Sequence, residues 1–216
     1  MPKKLNKPKR KVLPQMHIYC EGEKTEPTYI RKYLNKFYDG DRRRELIVLE
    51  ETKKNTPVQL VEEAVAHKNR RDCLADDVFW VVYDRESIAK YSNELHEKAM
   101  RLAKRNGVNV AISNVCFELW ILLHFVKNSA SYTSFTDLMN SSALRKELAK
   151  IGIQKYDKGE KKVFDLIGGD IGIARMNARD MNAQTKAAAQ EKMLEPYLLN
   201  PYTEVNLLLD AIDEFD

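Results

Sequence analysis

Met16-His17-Ile18-Tyr19-Cys20-Glu21-Gly22-Glu23-Lys24-Thr25-Glu26-Pro27 reads as a short, mostly apolar strand that runs into an acidic turn and then into a helix. Thr25 and Glu26 are placed to cap that helix, and Pro27 suits its first turn, where a missing N–H costs nothing. Ligands of open α/β sheets sit at the carboxyl ends of the strands, so Glu21 stands where chemistry would be. The pattern recurs downstream. Val78-Phe79-Trp80-Val81-Val82-Tyr83 is an apolar run suited to a buried parallel strand, and it ends in Asp84-Arg85-Glu86. Val108-Asn109-Val110-Ala111-Ile112 ends in Ser113-Asn114 and leads into Phe117-Glu118-Leu119-Trp120 on a helix. Parallel neighbours would gather Glu21, Asp84, Glu86, Asn114 and Glu118 on one rim.

The intervening segments supply the helices. Tyr29, Ile30, Tyr33, Leu34 and Phe37 recur at helical spacing. Leu46-Ile47-Val48-Leu49 is a second strand. Thr56-Pro57-Val58-Gln59 carries a helix cap with proline at the first helical position, and that helix runs to the basic group Lys68, Arg70, Arg71. A long helix from about Ile88 stops at Asn106-Gly107. Strand and helix therefore alternate, which argues for an α/β fold with a mostly parallel sheet flanked by helices. From about Ser131 strand-like runs vanish and helical patterns take over, through an Ala-rich stretch from Met176 to Leu194. Asn200-Pro201-Tyr202-Thr203 then introduces a last helix. The expected organisation is a flexible basic arm over 1–14, an α/β domain over 15–130 and a helical C-terminal subdomain over 131–216.

The chain's 216 residues, 44% of them hydrophobic, suffice for that core. Thirty-six basic against 32 acidic side chains leave a net charge of +4, which permits nucleic-acid binding without demanding it. Lys3, Lys4, Lys7, Lys9, Arg10 and Lys11 crowd the N-terminus, as a phosphate-binding arm or a solubilising tail. Cys20, Cys73 and Cys116 match no zinc spacing or disulfide framework and fit buried free thiols in a reducing cytoplasm. No apolar run reaches membrane-span length, and the basic N-terminus lacks the apolar segment of a secretory signal. These features point to a soluble cytoplasmic protein.

Glu21, Asp84 and Glu86 on one rim would repel one another unless a cation neutralises them. Oxygen ligands without paired His or Cys suit a hard divalent ion, Mg²⁺ or Mn²⁺, which retains waters and leaves room for phosphate oxygens. Metal-assisted phosphodiester cleavage follows, with Lys24 or Lys158 to hold the scissile phosphate. Solvation alone also explains an acidic turn after a strand. Glu23 and Glu26 read as helix-dipole partners, His124 as a core or surface histidine, and Asn114 as a helix N-cap. Glu118, polar in an apolar stretch, faces the site or is paired in the core.

The stretch Ile18–Pro27 with Tyr29 resembles the opening motif of the RloB-like proteins. Trp80-Val81-Val82-Tyr83-Asp84-Arg85 resembles their second motif, and Ser113-Asn114-Val115-Cys116-Phe117-Glu118-Leu119-Trp120 with His124-Phe125 their third. Tyr156-Asp157-Lys158-Gly159 and Asn200-Pro201-Tyr202-Thr203 with Val205 are similar to two weaker C-terminal signatures. The resemblance implies a Toprim-like (Rossmann-like) fold, in which a glutamate follows the first strand and an Asp-x-Asp pair follows a later one to bind Mg²⁺. Glu21 and Asp84 match; Glu86 replaces the second aspartate and reaches one methylene further. It further implies a nuclease of prokaryotic anti-phage defence or abortive infection, acting on DNA or RNA beside a companion ATPase of the ABC or AAA type. On this reading Glu21 is general acid/base or metal ligand, Asp84 and Glu86 are metal ligands, Glu118 is a supporting ligand and Lys158 contacts the phosphate. Lys24, Arg85, Lys155, Lys161 and Lys162 are the candidate nucleic-acid contacts, and a homo-oligomer is compatible. The rival is a non-catalytic module that binds nucleic acid or the ATPase.

Overall fold

The computed structural model describes residues 12–215, so the arm expected over 1–14 lies outside the described residues as far as residue 11. The strands are β1 (Met16–Cys20), β2 (Ile47–Glu50), β3 (Val78–Asp84), β4 (Asn109–Asn114) and β5 (Tyr202–Thr203). They form one sheet in the order β2-β1-β3-β4-β5, with the first four parallel and β5 antiparallel on the β4 edge. Helices α1 (Thr25–Phe37), α2 (Arg43–Leu46), α3 (Pro57–Lys68) and α4 (Asn93–Asn106) connect the parallel strands. Beyond β4 come α5 (Glu118–Leu122), α6 (Phe135–Ser141), α7 (Leu144–Lys150), α8 (Lys162–Ile167), α9 (Ile171–Ala188) and α10 (Val205–Asp213).

Side chains alternate across each strand, so each strand feeds two cores. Ile18, Cys20, Trp80 and Val82 pack with α1 and the helices that follow β4, whereas Tyr19, Phe79, Val81 and Tyr83 pack with α3 and α4. Phe79, Phe117 and Trp120 are fully buried, and an apolar side chain of that size contributes roughly 1.5–3 kcal/mol. The sheet order makes β1 the switch point: the chain leaves β1 for β2 on one side and later returns to its other side as β3. Open α/β sheets form their ligand crevice at such a point, beyond the strands' carboxyl ends. Glu21 and Asp84 flank it.

Several local expectations are corrected. Helix α1 has Lys24 at its N-cap with no side-chain cap bond, and Thr25 is its first residue; Glu26 folds inward instead of capping. The helix expected from Ile88 starts at Asn93 behind a Ser92 cap, because Ser87 to Tyr91 form a turn closed by Lys90 and Tyr91 N–H groups on the Ser87 carbonyl. Asn114 is no N-cap: it ends β4, and its amide donates to the Leu199 carbonyl at 2.7 Å. The helix expected over Met176–Leu194 ends at Ala188, and short 3₁₀ turns follow. A strand does follow Ser131, since Tyr202–Thr203 pairs with Asn114 and Ser113. Two residues are too few to show a periodicity. The cap at Thr56 is as expected, its hydroxyl accepting from the Gln59 N–H at 3.4 Å.

Candidate functional site

A cleft of about 350 Å³ opens at the carboxyl ends of β1 and β3, lined by Glu21, Lys24, Glu26, Asp84, Glu86, Lys90, Tyr91, Glu118 and Lys158, among others. Backbone bonds set the turns. Glu21 N–H donates to the Val82 carbonyl, Arg85 N–H to Ser113 and Glu86 N–H to Val115. Glu86 adopts φ 56°, a left-handed conformation that a residue with a side chain takes only when its surroundings impose it. That turn sends the Glu86 carboxylate to Lys90 Nζ at 2.7 Å.

Glu21 is held at both oxygens: Asp84 N–H donates to Oε2 at 3.1 Å, and the Tyr91 hydroxyl lies 2.8 Å from Oε1. The Tyr91 hydroxyl also lies 2.5 Å from the Asn55 carbonyl, so its one proton is shared between two acceptors. Burial raises the Glu21 pKa against the opposing effect of those bonds.

Behind Glu21 the carboxylates are buried. Asp84 is 6%, Glu26 5% and Glu118 1% exposed. Burial, then the charges of Glu26 and Glu118, push Asp84 well above the usual carboxylate range. Burial, together with Glu118, raises Glu26 to about 7. Glu118 accepts from the Tyr156 hydroxyl at 3.0 Å through Oε1, but its buried Oε2 has no hydrogen-bond partner. Lys158 Nζ stands 4.0 Å from Asp84 Oδ2. Burial works against the Lys158 ammonium, yet Glu118, Asp84 and Glu86 together outweigh it and hold its pKa above the ordinary lysine value.

Two glycines make this packing possible. A Cβ on Gly22 would fall on the Glu26 carboxylate, so only glycine lets Glu26 close against the turn. Gly159 has φ +87° and lies against the Lys24 side chain, where a Cβ would stand 2.6 Å from its Cβ. This contact seats the Lys158 loop on the first turn of the site.

The structure thus brings Glu21, Asp84, Glu86, Glu118, Lys24 and Lys158 to one cleft. Asn114 is not there; it lines a neighbouring cleft with Arg85 and Tyr132. Arg85 is corrected as a nucleic-acid contact: it is buried, and its guanidinium donates to the Tyr197 and Tyr91 carbonyls and to Asn93 Oδ1. Lys155, Lys161 and Lys162 are exposed but do not line the cleft. His124 is a satisfied core histidine between the Tyr29 hydroxyl and the Trp120 carbonyl. Cys20 and Cys116 are buried and free. Glu26, read as a helix-dipole partner, proves to be part of the cluster; the adjacent Gly22 was the available signal. No sequence signal marked Tyr91. A larger cleft of about 600 Å³, lined by residues such as Met181, Thr185, Met193 and Leu198, offers no titratable side chain.

A model of the RloB-like protein family matches residues 16–212. The chain belongs to the RloB-like proteins. The match contains every residue of the cleft and leaves out the basic N-terminal residues. No curated protein and no solved structure matches the chain. Among the described residues of this RloB-like chain, no helix is long and apolar enough to cross a membrane. Also among them, His17, Glu50 and His67 form a group whose potential metal-ligand atoms all lie within 4.8 Å of one another.

Proposed function

We propose that the cleft is the active site of a Mg²⁺- or Mn²⁺-dependent nuclease that cleaves phosphodiester bonds of DNA or RNA. One observation carries this reading: Asp84, Glu26 and Glu118 are buried together, with Lys158 as the cation that reaches them. Grouping carboxylates out of water is costly unless positive charge joins them. The donors are oxygens, and the unpartnered Glu118 Oε2 is an acceptor without a donor, which fits a hard divalent ion. Asp84, Glu86 and Glu118 would hold it, leaving Glu21 for proton transfer. Such an ion supplies Lewis acidity to a phosphate oxygen and lowers the pKa of a bound water.

The chain's own residues account for the rest. Lys158, with a side chain 44% exposed, is free to bind a non-bridging phosphate oxygen of the substrate. Glu21, oriented by the Asp84 N–H and Tyr91 and raised in pKa, takes or returns the proton of the attacking water or leaving oxygen. Lys24 lines the mouth of the cleft and neutralises the nucleic-acid backbone. The Toprim resemblance supports these roles at Glu21 and Asp84, and the RloB-like resemblance extends them to an effector of prokaryotic anti-phage defence acting in the cytoplasm with a companion ABC- or AAA-type ATPase.

Mg²⁺ and Mn²⁺ titrations over plasmid DNA and total tRNA, with and without the companion ATPase, test the proposal. It expects cleavage that needs metal and is lost in Glu21→Gln. A second reading, a non-catalytic module binding nucleic acid, draws on the fact that Lys158 and Lys90 already pair with Asp84 and Glu86. It expects metal-independent binding that Glu21→Gln leaves unchanged.

A further inference from the structure

A second group of titratable side chains converges outside the cleft and shares no residue with it. His17 lies on β1, Glu50 ends β2 and His67 lies in the last turn of α3. His17 pairs with Val48 in the β1–β2 register, and Glu50 follows two residues later. Strand alternation therefore projects His17 and Glu50 from the same face of the sheet.

His17 Nδ1 lies 2.7 Å from Glu50 Oε1, and His67 Nδ1 lies 3.8 Å from the same oxygen. Zinc bonds of about 2.0–2.1 Å put tetrahedral ligands roughly 3.3 Å apart, between those two separations. The His17 ring is buried against Phe79, with centroids 4.7 Å apart. Its Nε2 makes no hydrogen bond and lies 3.9 Å from Asp77 Oδ2. With a metal at Nδ1 the His17 proton would sit on Nε2, on the side of Asp77, the arrangement from which a carboxylate–histidine–metal relay is built. At 2.7 Å the His17 Nδ1–Glu50 contact is a hydrogen bond, whose proton a metal would replace with a small opening of the pair. The Tyr19 hydroxyl lies 2.5 Å from His67 Nδ1, a hydrogen bond that a metal at this nitrogen would displace. Glu50 and His67 side chains are 23% and 17% exposed, which leaves a path from solvent.

We propose that His17, Glu50 and His67 are the three protein ligands of a divalent transition metal, Zn²⁺ by its donor set, with a fourth position open to water. Two imidazoles and one carboxylate select Zn²⁺ over Mg²⁺, which takes oxygen ligands. Asp77, which also accepts the Gln15 and Leu74 N–H groups, is the positioning residue behind His17. This site does not rest on the nuclease reading.

The test uses the full chain, free of any histidine tag and stripped by chelator, titrated with Co²⁺ and then with Zn²⁺ against a chromophoric chelator near neutral pH. One equivalent of Co²⁺ should give the visible bands of a four- or five-coordinate ion, and Zn²⁺ should abolish them. His67→Gln and Glu50→Gln, both on the accessible side, should each weaken Zn²⁺ binding at least roughly 100-fold, and Asp77→Asn roughly 10–100-fold. Circular dichroism verifies that the variants remain folded, and the wild-type titration needs no variant. Asp84→Asn should leave Zn²⁺ affinity unchanged. Absence of the Co²⁺ bands in the wild type, wild-type Zn²⁺ affinity in His67→Gln and Glu50→Gln, or loss of binding in Asp84→Asn would overturn the proposal.

Discussion

Lys158, from the chain after β4, holds its ammonium 4.0 Å from the Asp84 carboxylate at the end of β3. The contact ties the late part of the chain to the switch point of the sheet. On the proposed nuclease reading Lys158 is both a counter-charge and a ligand for substrate phosphate. Lys158→Met should destabilise the protein by only about 1 kcal/mol, because the half-exposed ammonium is screened by water. Cleavage should fall roughly 10²–10³-fold, the range for losing one preorganised charge partner of a transition state. Lys158→Arg should recover part of it. Urea unfolding and initial cleavage rates give the two quantities.

Stability should respond to pH through Glu26. Its folded pKa is raised to about 7, from 4.5, so between those values the folded state holds a proton that the unfolded state has lost. The stability contributed by the protonated form is therefore present in full below the unfolded pKa and is lost as pH rises through about 7. Glu26→Gln removes that loss. Relative to wild type it should be more stable at pH 8 than at pH 5, by about 1–3 kcal/mol, as urea unfolding at both pH values would reveal. An equal difference at the two values would count against the buried cluster.

On the proposed reading, divalent metal and protons compete for the same oxygens. Mg²⁺ or Mn²⁺ should raise the melting temperature of wild type more at pH 8 than at pH 5.5, since ligating carboxylates must be ionised. Differential scanning fluorimetry with Asp84→Asn as the comparison reads this directly. A metal effect of the same size at both pH values would separate it from the cleft.

Gly22→Ala should act through Glu26, because the added methyl falls on that carboxylate. The expected result is a folded protein, destabilised by about 1–3 kcal/mol, with cleavage reduced. The double variant Gly22→Ala/Glu26→Ala, which clears the space, should recover stability relative to the single change.

Arg85 and the exposed lysines should part company. Arg85→Met strands the Tyr197 and Tyr91 carbonyls and should cost about 2–4 kcal/mol of stability while leaving the salt slope of nucleic-acid binding unchanged. Lys24→Ala and Lys161→Ala should each reduce that slope by about one with little change in stability. Filter-binding affinities across a salt series separate the two behaviours.

The strands and their order of use were legible because buried runs such as Val78–Tyr83 have one reading, and the acidic residues that end them stand out against it. Glu21, Asp84 and Glu86 were found that way, and Glu118 as a polar residue in an apolar helical stretch. Arg85 was misread because its neighbours in sequence are acidic and its partners are not: Tyr197 lies 112 residues away. Glu26 was misread because a carboxylate in a first helical turn has a local explanation, and only the packing against Gly22 shows that the side chain turns inward. His17, Glu50 and His67 carry no ligand spacing in sequence, since their convergence depends on β1–β2 register and on the seating of α3.

The most direct measurement is phosphodiester cleavage by purified wild type and Asp84→Asn, in Mn²⁺ and in chelator, with and without the proposed companion ATPase, the fold of both proteins being verified. Wild type should cleave in a metal-dependent way, and Asp84→Asn should lose at least roughly 100-fold of that activity. Equal behaviour of the two proteins in Mn²⁺ would contradict the nuclease reading.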